Sequence, residues 1–307
     1  MTRPVVLLAA GATVVALAAL ALLLYDRERR ADVRGSSTVE FVATEIATGA
    51  EGPMSPADPR GPDGPGAVEE AFAWPTFGYN EQRLRSLFRL DLRPPFRRAW
   101  TFGSRSLLEF PPVLGHGRLY LPTFDGRLYA LDPVTGKEVW SYDSGHCAWA
   151  SPAVSGELVV QTFIGSRGSC QDDVPGVGGE VVAFDGATGR VRWRRVHGRD
   201  ESSPVVVDGL VYGGDWSGEV YALDAETGAP RWTFRTGAEV KGSAALDAGR
   251  VFIGSYDGHV YAFDARDGTL LWRASAQPRL GTRGRFYSTP AVAYGRVYIG
   301  STDGKVY

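Results

Sequence analysis

Tyr221–Trp232 reads YALDAETGAPRW, and its spacing recurs three more times. The matching stretches are YALDPVTGKEVW (Tyr129–Trp140), VAFDGATGRVRW (Val182–Trp193) and YAFDARDGTLLW (Tyr261–Trp272). Successive tryptophans lie 53, 39 and 40 residues apart. A unit of about 40 residues matches the period of a four-stranded propeller blade. In the third unit the strands are SPVVVD, LVYGGD, EVYALD and PRWTFR, separated by turns that contain Gly and Asp. The middle strands are apolar on both faces, as sheets sandwiched between other sheets require.

The recurring residues have local tasks. Asp132, Asp185, Asp224 and Asp264 can accept hydrogen bonds from backbone two or three residues on. Gly136, Gly189, Gly228 and Gly268 supply the positive φ of the hairpin. Trp140, Trp193, Trp232 and Trp272 each carry a large apolar surface that can cover the neighbouring sheet. Four copies arranged around a ring cannot all face one ligand, so blade docking is preferred to cofactor stacking. The composition agrees with an all-β fold. It includes 39 Gly, 13 Tyr and 8 Trp, with 44% hydrophobic and 22% charged residues. Net charge is −2 and no Lys/Arg block follows residue 34, so nucleic acid is not an expected partner.

The pattern Ala-x-Asp-x-x-x-Gly-x-x-x-Trp, at Ala130–Trp140, Ala183–Trp193, Ala222–Trp232 and Ala262–Trp272, resembles the tryptophan-docking motif of pyrroloquinoline-quinone-type β-propellers. WPTFGYN at Trp74 is similar to the opening segment of such propellers. The resemblance covers residues 74–307 and implies rings of seven or eight blades. Four repeats and two and a half strands of a fifth (FYSTPAVAYGRVYIGSTDGKVY) are present, so the chain is expected to be part of a larger ring. FRRAWTFGS around Trp100 is expected to be an outer strand that closes it. The superfamily includes quinoprotein dehydrogenases, outer-membrane assembly lipoproteins of the BamB type, and sensor modules, so the resemblance implies fold more than task.

By that resemblance, a dehydrogenase would hold pyrroloquinoline quinone over Ca²⁺ with a Glu, an Asn and an Asp. An adjacent Cys-Cys disulfide and a stacking Trp would complete the site. Here the one Asn is Asn80, ahead of the repeats, and the two cysteines, Cys147 and Cys170, are not adjacent. His116, His146, His197 and His259 fall in different repeats without ligand spacing. No catalytic, cofactor or metal residue is therefore assigned. Quinone with Ca²⁺ belongs to an alternative reading as a dehydrogenase, and a sensor module is a second alternative.

The expected role is a non-catalytic binding or assembly scaffold. Loops before the first strand and between the second and third strands of a blade share one face. The elaborations fall there: SRGSCQDDVPGVGG in the second repeat and SAQPRLGTRGRFYSTP before the fifth. Trp149, Lys241, Arg285, Phe286 and Tyr287 are the candidate residues for a protein or cell-envelope partner on this face.

The N-terminus differs. Residues 1–4 form a short tail, and Val5–Tyr25 is uncharged over 21 residues, long enough to span a bilayer as an uncleaved anchor. Residues 26–73 form a linker rich in Pro, Gly and Ala. Its stretch from Gly35 carries seven acidic residues against one Arg, and is expected to be a mobile tether. Arg27, Arg29, Arg30 and Arg34 follow the span while Arg3 precedes it, which by charge alone puts the propeller in the cytoplasm. The cysteines oppose this. Both lie in loops on one face of the second repeat, and a Cys147–Cys170 disulfide would persist only in an oxidising compartment. The expectation is a single-pass membrane protein, N-in and C-out, with its propeller outside the cytoplasm.

Overall fold

The indole of Trp193 lies over Gly228, one repeat further on. A Cβ added at Gly228 would stand 2.6 Å from Trp193 Cε3, and Gly228 has φ +70°. Trp193 Nε1 donates to the Ala225 carbonyl at 2.8 Å. The same lock joins Trp140 to Gly189 and Trp232 to Gly268, with Nε1 donating to Gly186 O (2.8 Å) and Ala265 O (2.9 Å). Trp100 docks in like manner over Gly136 and donates to Pro133 O at 2.9 Å.

These contacts come from a computed structural model that describes residues 73–85, 97–166, 170, 178–276 and 284–307. The tail, the apolar stretch 5–25 and linker residues 26–72 lie outside the described residues, as do 86–96, 167–169, 171–177 and 277–283. Among the described residues no helix is long and apolar enough to cross a membrane.

The strands form successive antiparallel sheets. The first holds β1 (Val113–Gly115), β2 (Arg118–Pro122), β3 (Arg127–Leu131) and β4 (Glu138–Asp143). The second holds β6 (Ala153–Ser155), β7 (Leu158–Ser166), β8 (Gly179–Asp185) and β9 (Val191–His197), and β7 also pairs with the short β5 (His146–Cys147). The third runs through β10 (Val205–Val207), β11 (Leu210–Gly214), β12 (Glu219–Asp224) and β13 (Pro230–Arg235). The fourth comprises β14 (Ala245–Asp247), β15 (Arg250–Gly254), β16 (His259–Asp264) and β17 (Leu270–Ser275). A pair, β18 (Ala291–Ala293) and β19 (Arg296–Tyr298), begins a fifth, with a single bridge from Gly300 to Val306 beyond it.

In all four complete sheets the motif Ala sits directly opposite the motif Trp, as Ala222 does Trp232, and the register shifts just beyond. The small residue leaves room for the indole, and the bulge bends the outer strand. Asp132 Oδ1 accepts from the amides of Val134 and Thr135, and Asp224 Oδ1 from those of Glu226 and Thr227, which fixes the hairpin carrying each docking glycine. Trp272 stands apart at 40% exposure, beside Phe252, and no docking glycine faces it among the described residues. Residues 97–103, expected as an outer strand, form none. Trp100 reaches its glycine from irregular chain.

A second belt links the sheets at their inner ends. The amide of Ser151 donates to Ser203 Oγ (3.0 Å), that of Ser203 to Ser243 Oγ (2.8 Å), and that of Ser243 to Thr289 Oγ1 (3.1 Å). Each hydroxyl thus holds the backbone of the preceding sheet at the equivalent position.

The first strands are sheet edges, whose unpaired backbone groups need partners. The segment from Trp74 to Arg85 supplies them. Trp74 bridges Leu114 in β1; Pro75 O accepts from Val154, Glu81 O from Leu246 and Gln82 O from Val292. Each recipient is the middle residue of its three-residue strand. Arg83, 3% exposed, donates to Thr76 Oγ1, to the carbonyls of Phe77 and Ser203, and through Nε to Ala244 O at 2.8 Å. Burial pulls its guanidinium down to about 9, still cationic at neutral pH.

The lock yields a matched test. Gly228→Ala sets a methyl against Trp193, whereas Gly209→Ala has the same sign of φ (+74°) and nothing within 4 Å. Gly209→Ala should cost about 1 kcal/mol from backbone strain, and Gly228→Ala about 2–4 kcal/mol. Equal denaturant midpoints for the two variants would remove the docking contribution.

Candidate functional site

The loops leading into the first strands converge on one face and enclose a cavity of about 440 Å³. Its wall takes Trp149 from the second sheet, Glu201 and Ser203 from the third, Lys241 and Ser243 from the fourth, and Tyr287 to Thr289 from the fifth. Phe124 comes from the hairpin between β2 and β3, and Phe77 and Arg85 from the axial segment. The three expected residues Trp149, Lys241 and Tyr287 thus line one cavity.

Arg285 lies beside it, its guanidinium 5.5 Å from the Tyr256 ring centre. Phe286 does not join them. It is 1% exposed and packs with Val260, Ala276 and Ile299. Extended backbone sends alternate side chains to opposite sides, so Arg285 and Tyr287 point outward while Phe286 enters the core.

Aromatic rings and cations interleave around the rim. Phe124 stacks on Trp149 with ring centres 5.7 Å apart, and Trp149 lies 6.2 Å from Trp216. The ammonium of Lys241 sits 3.7 Å from the Trp216 ring centre and 5.0 Å from that of Tyr256, and Arg199 lies 4.4 Å from Trp216 on another side. Such pairs hold cations over π faces without neutralising them.

Phe124, Trp216 and Tyr256 were not among the expected residues. Their signal is the repeat position just before Asp-Gly or Ser-Gly in TFDG, DWSG and SYDG. Each sits where its amide is fixed by a lead-in carbonyl: Leu107, Arg199 and Glu239 respectively.

Three buried polar groups of the cavity wall and rim, on Glu201, Trp149 and Trp216, make no hydrogen bond among the described residues. The atoms are Glu201 Oε1, in a residue 9% exposed, and Nε1 of both indoles. Burial pushes the Glu201 carboxyl up to about 7, opposed by Lys241, the Trp216 indole and Arg199, while Glu109 adds to the rise. A buried set lies behind. Tyr221 donates to Asp200 Oδ2 at 2.6 Å, and His197 lies 3.2 Å from Asp215 and 3.3 Å from Glu219.

Cys147 and Cys170 form a disulfide, their Cα atoms 5.7 Å apart and 23 residues apart in sequence. Closing a loop of that size stabilises the chain by about 3 kcal/mol in the chain-entropy account. Cys147, expected in a loop, lies in β5 opposite Ile164. No group of three His, Cys, Asp or Glu that could hold a metal occurs among the described residues. Asn80 Oδ1 accepts from the Leu84 amide, which commits it to its own turn.

The Glu201 shift fixes a pH dependence. A carboxyl whose folded value is raised from 4.5 to about 7 favours the folded state below pH 4.5, and that contribution is lost as pH rises through 7. Glu201→Gln should therefore gain about 1–3 kcal/mol over the parent above pH 7, with the gain vanishing near pH 4.5. Asp200, raised to about 7 by burial, keeps a residual slope in both proteins. Parallel stability curves between pH 4.5 and 8 would show that Glu201 is not the titrating group.

Comparison with known proteins gives consistent results. A family model described as outer membrane protein assembly factor BamB matches residues 97–198 and 177–307. BamB of Nitrosomonas eutropha is 36% identical over 104 residues, 33% of this chain and 22% of that protein. The quinohemoprotein alcohol dehydrogenase of Comamonas testosteroni is 38% identical over 85 residues, 27% and 11% of the two chains. The crystal structure of BamB from Moraxella catarrhalis superposes with a TM-score of 0.54 at 20% identity, over 64% of this chain and 59% of that one. That of the Comamonas testosteroni dehydrogenase gives 0.58 at 17% identity, over 76% and 46%. This chain thus spans 11–22% of the length of these sequence relatives, and the structural likeness establishes the fold. With the repeats matched from residue 97 to residue 307, the chain belongs to the quinoprotein-type repeat family of the outer membrane assembly factor BamB.

Proposed function

We propose that the chain is a non-catalytic binding scaffold of the cell envelope, held to the membrane by residues 5–25 with its propeller outside the cytoplasm. Its loop-rich face takes a protein partner. The observation that carries this reading is the cavity, where rings and cations from five sheets and the Trp74–Arg85 segment converge. Membership of an assembly-factor family supports it. The Cys147–Cys170 disulfide supports the extracytoplasmic side, since such bonds seldom persist in the cytoplasm.

A photo-crosslinking residue at Tyr287 should trap a discrete envelope protein in intact membranes, and one at Val134 should not. Val134 is exposed and is not among the residues lining the cavity. Equal yields at both positions, or none at Tyr287, would count against a partner on this face.

The dehydrogenase relatives motivate a second reading, a quinone enzyme. The described residues do not fit the quinone and its calcium ion. They offer no cluster of three metal-ligating side chains, Asn80 is committed to a turn, and the disulfide joins cysteines far apart in sequence. Mixed with pyrroloquinoline quinone and Ca²⁺, the protein should neither quench on titration nor reduce a dye with alcohols. Micromolar quinone affinity with turnover would reverse the assignment.

A further inference from the structure

Three cations at the cavity are held in place without being neutralised. The Arg85 guanidinium lies 4.5 Å from the Phe77 ring centre. The Lys241 ammonium lies between Trp216 and Tyr256, at 3.7 Å and 5.0 Å, and Arg285 shares Tyr256 at 5.5 Å. Among the described residues none of the three forms an ion pair. A ring face orients a cation but leaves its N–H donors for a ligand. Two carboxyls stand in the same wall. Glu201, pushed up to about 7 by burial, carries only part of its charge near neutral pH, and Glu109 is exposed to solvent. The balance at the mouth is therefore positive. The mouth also shows apolar side chains to water. Leu107 O accepts from the Phe124 amide at 2.9 Å, which sets Leu107 and Leu108 beside the cavity; both are exposed, as is Tyr287. Exposed aliphatic groups next to unneutralised cations mark a surface that gains by being covered.

We propose that this mouth takes a short acidic peptide segment carrying an aromatic side chain, with its carboxylates on Lys241, Arg85 and Arg285 and its ring in the cavity among Phe77, Phe124 and Trp149. The inference rests on the reading of a protein partner on this face and names that partner's chemistry. Charge complementarity selects an anion, and the rest of the wall selects a peptide over a phosphate chain or single-stranded nucleic acid. A peptide backbone brings N–H donors that the carboxyls of Glu109 and Glu201 can accept, whereas phosphates bring them like charge. Side chains of a peptide also cover Leu107 and Leu108. With a net charge of −2 and no basic run past residue 34, the chain offers a long polyanion no continuous track.

The test uses the full chain in detergent and dye-labelled pentapeptides with blocked ends, read by fluorescence polarisation. The acidic probe is Glu-Asp-Phe-Glu-Asp. Gln-Asn-Phe-Gln-Asn keeps its shape without the charge, and Glu-Asp-Gly-Glu-Asp keeps its charge without the ring. Inorganic phosphate and a thymidine oligonucleotide serve as competing anions. The acidic probe should bind about tenfold or more tighter than its amide counterpart, the factor that one charge-assisted contact supplies. Lys241→Gln and Arg285→Gln should each weaken it by about tenfold on the same ground. Arg266→Gln, outside the cavity lining, should leave it unchanged. No binding of the acidic probe, or equal affinity for the acidic and amide probes, would overturn the proposal. So would tighter binding of the oligonucleotide. Equal binding of the probe without a ring would remove the aromatic side chain from it. If Lys241→Gln disturbs the fold, the exposed Arg285 decides, and unchanged affinity in Arg285→Gln counts against the proposal. The crosslink at Tyr287 separates this inference from the reading beneath it. A trapped envelope protein that the acidic probe does not displace would refute the peptide chemistry and keep the partner. An acidic probe that binds through Lys241 while Tyr287 traps nothing would refute the partner and keep the chemistry.

Discussion

Every tryptophan lock among the described residues turns on the absence of a side chain. The docking glycine must adopt positive φ to close its hairpin, and it must also lie bare so that an indole can rest on it. Both requirements fall on the same residue, and the motif aspartate holds the hairpin so that they coincide. The indole N–H then finds a carbonyl three residues before the glycine, as Trp193 finds Ala225, so the large apolar group is buried without leaving a donor unpaired. Sheet orientation follows from this contact, and the inner serine belt repeats the constraint at the other end of each blade.

With the sheets fixed at both ends, the lead-in loops have little choice of position. Their side chains converge beside the Trp74–Arg85 segment, whose Phe77 and Arg85 line the same cavity. The cavity is therefore a property of several repeats together. No single repeat carries a recognisable site, and each contributes aromatic or charged residues to it. Relatives described as assembly factors and as dehydrogenases share the repeat, so the repeat by itself carries the fold and not the task.

The sequence was most legible where structure is local and repeated. The Ala-to-Trp spacing revealed the sheets, their hairpins and the identity of the docking residues, because each relation spans a dozen residues or recurs at the next repeat. The disulfide was legible because an insertion carried one of the two cysteines. Trp149, Lys241 and Tyr287 were legible as lead-in positions. Phe286 was misread because nothing in a lengthened loop announces which side chain turns inward. Residues 97–104 of FRRAWTFGS form no strand among the described residues, and the Trp100 they carry docks like the others. The serine belt and Arg83 were invisible for another reason: their partners lie 40 to more than 160 residues away, at positions with no shared spacing.

The axial segment also sets an order of events. Each blade closes over short stretches of chain, and each tryptophan lock joins neighbours in sequence. The bond from Val292 to Gln82 instead spans most of the folded region and can form only once the fifth pair of strands exists. Loop-closure entropy and the need for prior blades make it a late step, although the ribosome delivers residues 74–85 before any blade. During synthesis this stretch must wait unpaired, with Trp74, Phe77 and Arg83 lacking their final partners. Its low apolar content and two arginines near its end are a form of protection over that interval, since charged edges resist pairing with the wrong strand.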